Sequence, residues 1–135
     1  MIAVDTSALM SIVLGEPTAP LCRAALVAAD AIAISAETLA EATVVAGRRN
    51  RGAAMEELVR SLAPLVIPVT AATATRIGAI YGRWGKGVHP ASLNLGDCFA
   101  YDVAKQHNCP LLFVGDDFAK TDIASAIASD SLGGP

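Results

Sequence analysis

Apolar residues fall into short runs, each ending on an acid, a hydroxyl or a turn residue. The run 1–4 stops at Asp5, the pattern of a buried parallel strand that presents an acid at its C-terminal end. Thr6 and Ser7 then offer helix-start hydroxyls before the apolar stretch 8–14, which Gly15, Glu16 and Pro17 bring to an end. Pro17 or Pro20 opens the next helix, running to about Ala29. A second strand is predicted over 31–34, and Ser35 is a suitable N-cap for an alanine-rich helix over about 37–49. Gly52 separates it from a helix over 53–62, so the two form a hairpin.

Further on, 66–69 reads as a strand at a sheet edge, because Pro68 cannot donate a ladder hydrogen bond. A helix over 70–81 leads into a glycine-rich loop around Gly82, Gly85, Gly87 and Pro90, the one long irregular segment. A helix over 97–106 follows, then a strand over 111–114, a short final strand over 121–123, and a tail over 129–135 expected to fray. Strands and helices that alternate at these lengths imply one α/β domain over 1–135 with a mostly parallel sheet and right-handed crossovers.

Composition sharpens this picture. The apolar fraction is 53% and the aromatic fraction only 4%, a mixture suited to helices covering a buried sheet. A net charge of −3 gives no overall attraction to polyanions, so any nucleic acid must be held by local cations. Cys22, Cys98 and Cys109 lack zinc spacing and read as buried thiols of a reducing cytosol. No apolar run approaches a membrane span, and the N-terminus has no export signal, so a cytoplasmic location without membrane attachment is expected.

The acids carry the chemistry. Asp5 and Asp116 sit just past predicted strands, where open α/β sheets place their ligand crevice. Asp97 opens a helix, and Glu41 lies in the second turn of another, flanked by apolar neighbours as though buried and unpaired. Two carboxylates about 4 Å apart repel by roughly 4 kcal/mol at an effective dielectric near 20, so a cluster needs protons or a cation. Oxygen donors without histidine or cysteine favour Mg²⁺ or Mn²⁺. Such an ion can activate a water for attack on phosphorus, which makes phosphodiester hydrolysis the best-suited reaction. The structural alternative is that Asp5 and Asp97 merely cap their helices.

Four blocks now resemble a known family: 4–9 with Asp5-Thr6-Ser7, 35–41 ending in Leu39-Ala40-Glu41, 94–101 with Asn94-Leu95-Gly96-Asp97, and 111–118 with Asp116-Asp117-Phe118, followed by Thr121-Asp122-Ile123. Together they resemble the PIN-domain ribonucleases that act as VapC toxins of toxin–antitoxin pairs. The resemblance implies a three-layer α/β/α domain with a central sheet of four to five strands. It implies Asp5 and Asp97 as principal magnesium ligands and Glu41 as the acid that orients the attacking water. Asp116 or Asp117 takes the fourth acidic position, Thr6 and Ser7 supply supporting hydroxyls, and Asn94 braces the approach to Asp97. Asp102 departs from the family's usual small apolar residue and is expected as a solvated helix acid or a rim charge. The resemblance further implies a homodimer, a structured RNA substrate such as transfer or ribosomal RNA, and a VapB-type antitoxin entering the acidic site.

Two basic groups are candidates for phosphate contact: Arg48, Arg49 and Arg51 after the Glu41 helix, and Arg76, Arg83 and Lys86 near the glycine-rich loop. Either group would equally serve as a solvated helix end. Trp84 reads as covered apolar surface more than as a base-stacking platform, and His89 and His107 have no catalytic partner in view. An aspartyl phosphatase is disfavoured because Ser7 stands where its second acid belongs, and no glycine-rich phosphate loop follows any strand. The readings left beside a toxin nuclease are a non-toxin nuclease of the same fold and a catalytically silent module that binds RNA or an antitoxin.

Overall fold

The computed structural model describes residues 1–127, so the tail expected to fray lies outside the described residues. Four strands, β1 (Ile2–Val4), β2 (Ile32–Ser35), β3 (Leu65–Ile67) and β4 (Leu111–Leu112), form one sheet in the order β3-β2-β1-β4. Every pairing is parallel, and Ala3 lies in register with Ala33 on one side and Leu111 on the other. Six helices surround it: α1 (Thr6–Leu14), α2 (Ala19–Ala28), α3 (Ala36–Arg48), α4 (Gly52–Leu62), α5 (Ala71–Trp84) and α6 (Leu95–Gln106).

The three layers follow from the pleat of the strands. Successive strand residues point to opposite faces. Ala3, Ala33 and Leu111 pack on one side with Ile77, Trp84, Cys98 and Val103 of α5 and α6. Their neighbours Val4, Ile34 and Leu112 pack on the other with Leu9, Cys22, Leu26, Ala42 and Met55 of α1 to α4. Both faces are apolar, which is why the strands read as unbroken apolar runs without alternation. This is the expected α/β/α arrangement.

Local chemistry set most of the boundaries. Gly15 ends α1 in the left-handed region at φ 65°, and Pro20 lies in the first turn of α2. Thr70 caps α5, exchanging hydrogen bonds with Thr73, and the helix runs on to Trp84. The following loop, 85–94, is pinched at its base by Lys86 N–H to the Leu93 carbonyl at 3.0 Å and Leu93 N–H to the Trp84 carbonyl at 3.1 Å. Leu65 and Val66 are exposed, in keeping with β3 at a sheet edge just before Pro68.

The final strand expected over 121–123 is absent. There the Thr121 hydroxyl donates to the Phe118 carbonyl at 2.7 Å and accepts Ile123 N–H at 3.2 Å, closing a turn. The chain meets β4 only beyond it, as a single parallel bridge between Leu111 and Ser125. Cys22 and Cys98 are buried as expected, whereas Cys109 is only half-buried, and all three are free thiols.

Candidate active site

Asp5 leaves the end of β1 and is only 5% exposed. It caps α1: its Oδ2 accepts Ser7 N–H at 3.1 Å and the Ser7 hydroxyl at 2.6 Å. Ser7 Oγ also accepts Val114 N–H at 3.0 Å, tying the exits of β1 and β4 together. Burial raises the Asp5 pKa above its ordinary value, Ser7 opposes that, and the charge of Glu41 adds to it. The capping reading of Asp5 therefore holds, and the same buried carboxylate feels the charge of Glu41.

Glu41 departs from expectation in one respect. It is half-buried and has a partner: the Thr6 hydroxyl donates to its Oε1 at 2.8 Å. The other side of its carboxylate meets α6, where a Cβ added to Gly96 would stand 2.6 Å from Glu41 Oε2. A glycine at that position allows the first turn of α6 to approach α3 this closely.

Asp97, two residues after the start of α6, accepts Asn94 N–H on its Oδ2 at 2.9 Å. Asn94 thus braces Asp97 through its backbone, while its side chain is exposed. Burial pushes the Asp97 pKa up to about 6, against the Asn94 bond and with help from the charges of Asp5, Asp117 and Glu41. Of the adjacent pair, Asp117 is the acid whose charge acts on Asp97. Both Asp116 and Asp117 are exposed.

A fifth acid, Glu37, went unrecognised in the sequence. Its N–H binds the Ser35 capping hydroxyl at 3.2 Å. One turn before Glu41, it shares that residue's face of α3. Its Oε2 is buried without a hydrogen-bond partner. Burial, then the charges of Glu41, Asp5 and Asp97, push its pKa up to about 7. The costly unpartnered glutamate expected at position 41 is in fact at 37. The i,i+4 spacing from Glu41, just behind a serine cap, was the available signal.

Asp102 corrects the reading of a solvated or rim acid. It is 4% exposed and grips Arg76 of α5 with two hydrogen bonds, Nε to Oδ1 at 2.7 Å and Nη2 to Oδ2 at 3.0 Å. Arg76 is thereby committed to joining α5 to α6. Arg48, Arg49 and Arg51 are exposed at the far end of α3; Arg48 lies about 10 Å along the helix axis beyond Glu41. These arginines are not drawn to the acids. Arg83 lies over the Trp84 ring at 4.6 Å, and its charge acts on Tyr101 and Asp122. Lys86 is exposed at the base of the 85–94 loop, beside the residue that precedes Asn94. Trp84 is buried, donating Nε1–H to the Tyr101 hydroxyl at 3.1 Å.

The acids offer oxygen donors alone, repel one another, and leave one buried oxygen unpartnered. That donor chemistry fits a hard divalent cation. Among the described residues no three acids, histidines or cysteines close around one point as an all-protein cage would. An ion that keeps several of its own waters needs only one or two direct carboxylates.

The fold and this strand-end acid cluster define the class. The profile of the PIN domain matches residues 2–124, and the chain belongs to the PIN-domain family. Within it, the chain is similar to VapC ribonucleases. It is 40% identical over 124 residues to Ribonuclease VapC36 of Mycobacterium tuberculosis, covering 89% of each chain. It is 37% identical over 127 residues to Ribonuclease VapC of Mycolicibacterium smegmatis, covering 90% of this chain and 97% of the relative. Among solved structures it shares its fold with Mycobacterium tuberculosis VapC20, a sarcin-ricin loop cleaving toxin, at a TM-score of 0.78, 16% identity and coverage of 95% and 100%. A toxin–antitoxin complex from Klebsiella pneumoniae also shares the fold, at a TM-score of 0.68 and 22% identity, with 90% and 93% covered. Among the described residues no helix is long and apolar enough to cross a membrane.

Proposed function

We propose that this chain is a Mg²⁺-dependent endoribonuclease, with Mn²⁺ able to substitute, acting in the cytoplasm as the toxin of a type II toxin–antitoxin pair. The observation that carries the reading is the meeting of three acid-bearing elements: Thr6, next to Asp5, binds Glu41 of α3, and Glu41 lies against Gly96, next to Asp97 of α6, where the charges of Asp5, Asp117 and Glu41 act. Membership of the PIN-domain family and the VapC relatives support it.

In this reading Asp5 and Asp97 hold the ion. When bound, it supplies the positive charge that offsets the acids and the phosphodiester and eases deprotonation of a water. Glu41, oriented by Thr6, accepts a hydrogen bond from the attacking water and fixes its direction. Ser7 holds Asp5 against β4, and Asn94 holds Asp97. Asp117 is preferred over Asp116 as the fourth acid, on the charge it exerts at Asp97. Lys86, beside the α6 N-terminus, is the best placed of the basic candidates to meet a substrate phosphate.

The substrate is a structured RNA of the transfer or ribosomal class, the partner is a VapB-type antitoxin, and the active form is a homodimer. These finer assignments rest on the family resemblance. Incubating the protein with total RNA in Mg²⁺, in EDTA, and as Asp5→Asn and Asp97→Asn tests the reading. Cleavage should require the metal and both acids; cleavage that survives chelation and both substitutions overturns it. A protein that binds a partner tightly yet cuts no RNA in any metal would be the silent module instead.

A further inference from the structure

We infer that the Tyr101 hydroxyl is a positioning group for Asp97, acting through Trp84 and the backbone of the 85–94 loop. This rests on the reading above, in which Asp97 takes part in RNA cleavage, and extends it to a buried residue one turn further along α6. Tyr101 is 4% exposed. Its hydroxyl accepts Trp84 Nε1–H at 3.1 Å and donates to Asp122 Oδ1 at 2.5 Å. The direction of that proton is forced: an indole N–H only donates and a carboxylate only accepts, so the phenol bridges them in one sense. Lys105 Nζ, 3.0 Å from Asp122 Oδ2, holds the carboxylate in place.

From Trp84 the connection runs along the main chain to the site. Trp84 ends α5, and its carbonyl accepts Leu93 N–H at 3.1 Å, while the Leu93 carbonyl accepts Lys86 N–H at 3.0 Å. The next residue, Asn94, donates its N–H to Asp97 Oδ2 at 2.9 Å. The loop closed by these bonds holds Ser92 at φ 53°, a left-handed conformation that a non-glycine residue keeps only when its surroundings fix it. A tyrosine that only filled the core could dispense with its hydroxyl. This one joins α5, α6 and the 121–123 turn, with both of its hydrogen-bonding directions used.

The test combines amide hydrogen exchange of the metal-free protein with single-turnover RNA cleavage in Mg²⁺, for wild type, Tyr101→Phe, Asp122→Ala and Asp122→Asn. Tyr101→Phe keeps the ring and leaves Trp84 Nε1–H without its acceptor. The Leu93 and Asn94 amides should then exchange about tenfold faster, as for one lost buried hydrogen bond, while the amides of β1 and β2 keep their rates. The cleavage rate of the folded variant at saturating protein should fall about tenfold, with the half-saturating concentration unchanged. Asp122→Ala should move both readings the same way, and Asp122→Asn, which keeps an acceptor oxygen, should restore them. Unchanged exchange at Leu93 and Asn94 in Tyr101→Phe overturns the inference. So does faster exchange throughout the protein with cleavage unchanged, the mark of an ordinary core tyrosine. Should wild type cut no RNA while Tyr101→Phe still speeds exchange at Leu93 and Asn94 alone, the cleavage reading fails and the link from Tyr101 to Asp97 stands.

Discussion

The Thr6 hydroxyl donates to Glu41 Oε1 at 2.8 Å, joining the first turn of α1 to the second turn of α3. Thr6 is 8% exposed, so this bond is shielded from competing water. It sets the direction of the one acid proposed to handle the attacking water. Thr6→Val keeps the shape and removes the donor. RNA cleavage is expected to fall about tenfold with little change in melting temperature. A single-turnover assay beside a thermal melt separates this from simple destabilisation.

Gly96→Ala should divide stability from activity in the same way. Alanine favours a helix interior over glycine by about 1 kcal/mol. The added methyl, however, would stand 2.6 Å from Glu41 Oε2 and force that carboxylate to turn aside. The melting temperature is expected to hold or rise while cleavage drops by about tenfold or more, as for lost orientation of a reacting group. Unchanged cleavage would show that Glu41 needs no fixed position.

Stability without metal should fall as pH rises. Folding raises the pKa of Asp97 from 3.8 to about 6 and of Glu37 from 4.5 to about 7, and it raises Asp5 as well. An acid whose folded pKa is raised binds more protons folded than unfolded, so its contribution is greatest below the unfolded value and declines up to the folded one. The melting temperature in EDTA should therefore decline from about pH 4 to about pH 7 and then level off. Asp122 acts in a lower window: burial is outweighed by bonds from Tyr101 and Lys105, which hold it below 3.8, so its share is lost only in stronger acid. Mg²⁺ should flatten the decline by favouring the ionised acids. Melts across this range in EDTA and in Mg²⁺ check both points.

The Arg76–Asp102 pair predicts a change in stability alone. Arg76→Lys keeps the charge and loses the fork that grips both carboxylate oxygens. A drop of a few degrees in melting temperature is expected, with the RNA cleavage of the folded protein unchanged. Replacing both partners at once with Met and Leu should recover most of the loss, because neither charge is left unpaired. A loss of cleavage in the folded lysine variant would return Arg76 to the phosphate-contacting candidates.

By itself the sequence determined what near neighbours decide. Asp5 closes a four-residue apolar run, Gly15 and Pro20 punctuate helices, Ser35 caps α3, and Pro68 keeps β3 at an edge, because caps and turns are made by residues a few positions apart. Such features also put Asp5 and Asp97 at the starts of two helices and Glu41 in the second turn of a third. Only the tertiary structure decided which long-range groups meet. Arg76 and Asp102 are 26 positions apart, and Thr6 and Glu41 are 35 apart. The strand expected over 121–123 gave way to a turn closed by the Thr121 hydroxyl, a local competitor that apolar pattern does not register. The largest revision concerned the carboxylate without a partner. Sequence placed it at Glu41 from its apolar neighbours, but a donor arriving from α1 satisfies Glu41 and leaves Glu37 as the buried orphan. Helical spacing says which residues share a face; the packing of α1 and α6 against that face says which of them still lacks a partner.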